Sequence, residues 1–301
     1  MAFNIGEKMM KKYIVMMGLM GLVASCNQSE DLPQDENVIR IEAEMAGSRA
    51  TRTSFEYGDC MGLYAVAYEG EVVTPLQIGG NYINNEEMTY SGQVWESNRT
   101  LYWNEAACDF YGIYPYQTIT SIDKQLFQIA TDQSSLETDD ELGGYEASDL
   151  MWAKAEKKTQ KDGVVKLPFR HMMSRLVVKL EKGPKFEGEL PQDVVTHVYN
   201  TATTAQVNWQ KGTLEKYGMS ETKTIKMRQV DATTFDAIIV PQFIERSTPL
   251  VEITMEGIAY LLEYSMSFRP GYQHTITVTL NTSPDQEKIE IDIDGDISDW
   301  Q

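Results

Sequence analysis

The chain has 301 residues, 42% of them hydrophobic and 24% charged, and a formal net charge of −19. That length suits one large or two medium domains, with two preferred, while the acidity excludes nucleic acid as a partner, because a polyanion is bound through excess Lys and Arg. Acidity of this size bears on solubility and on repulsion between copies, and assigns no chemistry.

Lys11 and Lys12 precede an apolar run over 13–23, followed by Ala24-Ser25-Cys26. A positive start, a short apolar segment and small residues at the cut are the parts of a secretory signal. The cysteine behind them is the expected lipidation site, and the run falls short of the roughly 18–20 residues a transmembrane helix needs. Residues 1–26 are therefore expected to be a lipoprotein signal ending at Cys26, with Met10 as the natural start. The segment holds Glu7, Lys8, Lys11 and Lys12, so its removal takes the net charge to about −21. Residues 27–37 carry Glu30, Asp31, Asp35 and Glu36 without a base, and are expected to form a solvated acidic tether.

Ile39, Ile41, Ala43 and Met45 alternate with Arg40, Glu42 and Glu44, which predicts a half-buried first strand. The loop over 47–53 is built of small residues and carries Arg49 and Arg52, a pattern open to proteolysis. From Phe55 onward, short β-branched and aromatic runs such as 63–68, 101–103 and 110–114 are separated by Gly, Asn, Asp and Ser clusters. No long stretch has a helical period, so the spacing predicts an all-β sandwich or barrel. Residues 131–149 hold seven acids and no base, and are expected to form a surface insertion or a short helix.

The second half repeats the pattern over 164–167, 175–180, 235–240, 250–255, 258–262 and 275–280. The turn at Lys161-Asp162-Gly163 predicts two domains, 38–162 and 163–301. Near the end, Ile289, Ile291 and Ile293 alternate with Glu290, Asp292 and Asp294, and a turn is expected from Gly295. A strand of this kind can add to a sheet edge through its backbone while alternate side chains fill pockets.

Residues 290, 292, 294, 295 and 297 match part of a calcium-loop pattern, but its twelfth position is Gln301 rather than Glu, so an acidic strand face is the preferred reading. His171, His197 and His274 lack metal-ligand spacing, and His171 is expected to pack beside Ser174. No nucleophile elbow or phosphate loop is present, so no enzyme activity and no cofactor are expected. Cys60 and Cys108 allow one disulfide, with buried free thiols preferred. Trp95, Trp103, Trp152, Trp209 and Trp300 are expected in the core, with one or two of them on a glycan or partner surface as the alternative.

Six blocks carry a resemblance: Tyr57-Gly58-Asp59-Cys60-Met61-Gly62-Leu63-Tyr64, Asp109-Phe110-Tyr111-Gly112-Ile113-Tyr114-Pro115-Tyr116, Asp149-Leu150-Met151-Trp152-Ala153, the run 167–176 around His171, Ile239-Val240-Pro241-Gln242, and the run 271–280 from Gly271. In this order, and behind a lipidation signal, they resemble the fimbrillin family, subunits of type V pili. The resemblance implies two tandem β-sandwiches of transthyretin-like topology and no catalysis. It also implies an outer-membrane lipoprotein precursor, cut by an arginine-specific protease and polymerised with other fimbrillin subunits by strand exchange, in support of adhesion. On this chain it makes Ile39, Ile41, Ala43 and Met45 the displaced strand, Arg49 (or Arg52) the cut site, and Ile289, Ile291 and Ile293 the donor. The alternative is a monomeric surface lipoprotein that binds glycans or host ligands.

Overall fold

The computed structural model describes residues 36–45, 55–138, 141–281 and 291–300, with backbone alone for 291–293. Every regular element in them is a strand, apart from two short 3-10 turns at Glu146–Ser148 and Gln160–Asp162. Cys26, Arg49, Arg52 and Ile289 lie outside the described residues, as does the tether before Glu36.

The first sheet runs in the order Arg40–Met45, Val164–His171, Met151–Lys158, Cys108–Tyr114, Cys60–Glu69, Ile83–Tyr90, Trp95–Ser97, with Val72–Val73 paired beside Cys60–Glu69. Its central strands lack the two-residue alternation of a one-sided sheet. Cys108–Tyr114 is buried at every position, because both faces are covered. Met61, Leu63, Ala65 and Phe110 turn to a core shared with Ile39, Ile41 and Phe169. Tyr64, Val66, Tyr111 and Ile113 turn to the larger core of the second half.

That larger core lies under a five-stranded sheet, Arg228–Gln229, Thr234–Ile239, Ser174–Lys182, Tyr272–Leu280 and Ile291–Asp299, and a four-stranded one, Thr222–Lys226, Val194–Ala202, Pro249–Met255 and Ile258–Glu263. Leu176, Val178, Ile276 and Val278 from the former share one apolar cluster with Val198, Ile225, Val251 and Ile253 from the latter. Strands cross the division expected after residue 162: Val164–His171 pairs within the first sheet, and Gln125–Gln128 pairs with Thr204–Asn208. Trp152 Nε1 adds a bond to the Trp209 carbonyl at 2.9 Å.

The acidic connection over 131–149 differs from a plain surface insertion. Among its described residues the one regular piece is the turn at Glu146–Ser148, and Gln133 and Ser148 are fully buried, with Tyr145 nearly so. Gln133 Nε2 donates to the Ile238 carbonyl at 2.9 Å, and its Oε1 accepts from the Ile238 N–H at 2.7 Å. The side-chain amide thus supplies the partner that a neighbouring strand would give Ile238, and this draws the connection inward. Both thiols are free. Cys108 is buried but Cys60 only half-buried, and Cys108 pairs with Ala67, about 23 Å along the strand from Cys60 at the usual rise per residue. Burial, reinforced by the Asp109 charge, pushes the Cys108 thiol up to about 11, which keeps it protonated and unreactive.

Replacing Gln133 by Ala strands the N–H and C=O of Ile238 in the core. The expected loss is about 2–4 kcal/mol of unfolding free energy, read as a lower urea midpoint with unchanged slope.

Candidate functional site

Two edges and one cavity are the candidate functional features. The first edge is the strand Arg40–Met45, which runs parallel to Val164–Phe169 in unbroken register. The alternation seen in sequence places its side chains: Ile39 and Ile41 are buried, Ala43 and Met45 pack half-buried on the same core, and Glu42 and Glu44 face solvent. Before the ladder, the Ile39 N–H donates to the Leu101 carbonyl at 2.8 Å, and the Asn37 carbonyl accepts from the Trp103 N–H at 2.8 Å. Phe55, the first described residue after 46–54, is gripped edge-on by Trp95, Tyr114 and Phe169 with ring centroids 5.0–5.3 Å away.

The second edge is Ile291–Asp299, antiparallel to Tyr272–Leu280 along its whole length. It therefore continues through the turn expected at Gly295. The Tyr264 hydroxyl stands where a Cβ at this position would lie, so any larger residue has to push that side chain aside. The side chains of 294–299 are exposed, including Ile297 at 49%. Backbone bonds hold this stretch of the strand, and Trp300 pins its end. The Trp300 N–H donates to the Gly271 carbonyl at 3.0 Å, and its indole lies flat on His171 with centroids 3.8 Å apart.

His171 and Trp300 form one wall of a cavity of about 250 Å³ where the two cores meet. His171 is 3% exposed and bonds Asp149 Oδ1 through Nδ1 at 2.7 Å, while its Nε2 has no hydrogen-bond partner. Across the cavity, the Tyr114 hydroxyl donates to Asp59 Oδ1 at 2.8 Å. Arg175 and Arg228 also line it, and both bond the fully buried Asp236 behind them, Arg175 at 2.7 and 3.1 Å and Arg228 at 3.0 Å. Arg228 also reaches Glu146 at 2.6 Å and lies over the Tyr145 ring at 3.4 Å. Burial drives the Tyr114 hydroxyl far above its ordinary value, and the negative charges of Asp59, Asp149 and Glu146 raise it further.

Sequence order hid this cluster. Asp149 and His171 stand in two of the resembling blocks, but only the adjacent pairing of Met151 with His171 brings them together. The Ser174 hydroxyl donates to the Arg269 carbonyl at 2.6 Å. All five tryptophans are buried. The acids of the calcium-like pattern that are described lie on an extended strand, and no group of three metal-ligating side chains gathers among the described residues.

A sequence model of the fimbrillin-like family matches residues 48–300, and the chain belongs to that family. Among solved structures, a candidate cell adhesion protein of Bacteroides uniformis is similar at a TM-score of 0.66 and 22% identity, over 89% of this chain and 100% of that one. A candidate cell adhesion protein of Bacteroides ovatus gives 0.67 at 16% identity, over 88% and 98%. A fimbrial protein of the same species gives 0.50 at 17% identity, over 81% and 48%. At these identities the likeness is one of fold, and it agrees with the all-β class expected from sequence. A comparison with curated proteins gave no match.

His274 offers a test of the second core. It is fully buried, accepts the Arg269 N–H at Nε2 over 3.2 Å, and is lowered to about 4 by burial and by the Arg269 charge. Between pH 4 and the unfolded value of about 6.5, only the unfolded chain carries this proton, so stability is full above that window and falls as pH drops through it. The expected loss from pH 7 to 5 is about 2 kcal/mol, measured by urea unfolding. His274→Gln should flatten that slope, and an unchanged slope would refute the assignment.

Proposed function

We propose that the chain is a structural subunit of a cell-surface fimbria, made as a lipoprotein precursor with the lipid on Cys26. It is trimmed after Arg49, with Arg52 as the alternative, and joined to neighbouring subunits by exchange of strands. Its place is the outer membrane before the cut and the fimbrium after it, where it supports adhesion. Family membership supports the fimbrial role, which is structural rather than catalytic and calls for no cofactor. The division into 38–162 and 163–301 belongs to the same proposal, and describes two sandwiches that share strands across their boundary.

One observation carries the mechanism: the strand that a cut in 46–54 would release, Arg40–Met45, is the outermost strand of its sheet. Removing an inner strand would break a sheet in two, whereas removing an edge strand leaves the rest paired. Its departure uncovers the space of Ile39 and Ile41, each worth roughly 1.5–3 kcal/mol of burial. It also frees one backbone edge of Val164–Phe169, a template for another chain. Until then the strand occupies its own groove and withholds assembly. The donor assigned to Ile289, Ile291 and Ile293 continues into Ile291–Asp299, an edge strand too, which can leave its sheet without opening it. A monomeric glycan binder gains no support here, since the exposed tryptophan it calls for is lacking.

The test treats purified protein with an arginine-specific protease, followed by gel electrophoresis and N-terminal sequencing. New termini at Ala50 or Thr53 should appear together with a ladder of oligomers, and clean cutting with only monomer would overturn the exchange mechanism. Deleting residues after Pro284 should leave the cut and abolish the ladder. Gly295→Val, whose side chain would strike Tyr264, should loosen the terminal strand and speed ladder growth.

A further inference from the structure

The two edge strands described above are joined through one short run of chain. Trp300, at the end of Ile291–Asp299, is 6% exposed, while the side chains of 294–299 face solvent. It has two attachments. Its indole stacks on the His171 ring with centroids 3.8 Å apart and planes 9° from parallel, and its N–H donates to the Gly271 carbonyl at 3.0 Å. Gly271 in turn donates its own N–H to the Met173 carbonyl at 2.8 Å. At a φ of +73° it lies so close to the His171 carbonyl that a Cβ would stand 3.3 Å from it. Both attachments therefore rest on His171-Met172-Met173.

That run begins at the last residue of Val164–His171, the strand on which Arg40–Met45 is laid. The parallel ladder covers Val164 to Phe169, whereas the pairing of the same strand with Met151–Lys158 is confined to Arg170 and His171. Among the described ladders, 164–169 has no partner but the first strand, and the seat of Trp300 starts two residues further on. Asp149 bonds His171 Nδ1 at 2.7 Å, and the Met172 N–H donates to the Leu150 carbonyl at 2.8 Å. These ties keep the seat on its sheet, so loss of the first strand would loosen it without dissolving it.

We propose that Trp300 is a latch on the terminal strand and that departure of Arg40–Met45 releases it, so that one event opens the acceptor groove and frees the donor. This rests on the strand-exchange reading above. A docked side chain is held only as firmly as the surface beneath it is ordered, and neighbouring segments that share an opening unit open together. The described side chains of 294–299 bury little, so the indole is the main side-chain hold on that end of the strand, and a stacked aromatic contributes beyond its buried area. In the uncut chain the latch keeps the donor in its own sheet.

Hydrogen exchange read by mass spectrometry tests this on monomeric protein, before and after treatment with the arginine-specific protease. Chains that have lost the residues before the cut are identified by their intact mass under native conditions. In them, peptides over 291–301 should exchange about tenfold faster or more, while those over 250–255 keep their uncut rate. Trp300→Ala should bring the same acceleration to the uncut protein, with no more than about a twofold further gain on cutting, because the two changes act on one contact. Trp300→Phe should restore most of the protection. The proposal is overturned by unchanged exchange over 291–301 after loss of the first strand, by a fragment that stays bound after the cut, by equal acceleration over 250–255, or by unchanged exchange in uncut Trp300→Ala. A ladder that forms while 291–301 keeps its uncut protection in the monomer refutes the latch alone. Faster exchange with no ladder refutes polymerisation alone.

Discussion

The parallel ladder between Arg40–Met45 and Val164–Phe169 is the interaction on which the first half of the molecule depends. It closes one end of a sheet whose other neighbours are antiparallel, and it caps a core containing Phe110, Leu167 and Phe169 with Ile39 and Ile41. The outward charges along it contribute little: Lys166 lies 2.8 Å from Glu44 and 3.7 Å from Glu42, but all three are well exposed. Its stability therefore comes from two isoleucines and a row of backbone bonds.

A second constraint binds the halves together. Asp236 sits fully buried under two guanidinium groups, one from Ser174–Lys182 and one from Arg228–Gln229. Through Glu146 and Tyr145 the same arginine fixes the connection that leaves the first half. A buried carboxylate with its pairs intact specifies one arrangement, because removing either partner leaves charge without compensation. The cavity walls are thereby held from one side by ions and from the other by the stack of His171 on Trp300.

Much of this was legible in the sequence where the physics is local. Alternation over 39–45 marks the first strand, its direction of burial and its short reach, and the β-branched run 275–280 marks most of Tyr272–Leu280, in which His274, Ile276, Val278 and Leu280 are buried. It failed where a neighbour far along the chain decides the outcome. Gly295 has the composition of a turn, yet Tyr264 packs over it and the strand runs on. The acidic run over 131–149 has the composition of solvent-facing chain, yet Gln133 is wholly inside. The contact of Asp149, His171 and Trp300 has no short-range signature at all. Three residues from separate segments meet because of pairing order, and pairing order is not written in any one window.

Gln133 carries a wider consequence. A side-chain amide that impersonates a peptide unit lets an irregular segment take part in a sheet's bonding without adopting strand geometry. The connection is tied again where Glu146 and Tyr145 meet Arg228, so only the stretch between the two ties is free of the sheet's register. Leu136, only three residues on, stands 86% exposed. That stretch can thus vary in length and charge while the sheet beneath stays fixed. Such a surface can change its outward character from one descendant to the next without altering the frame that carries it.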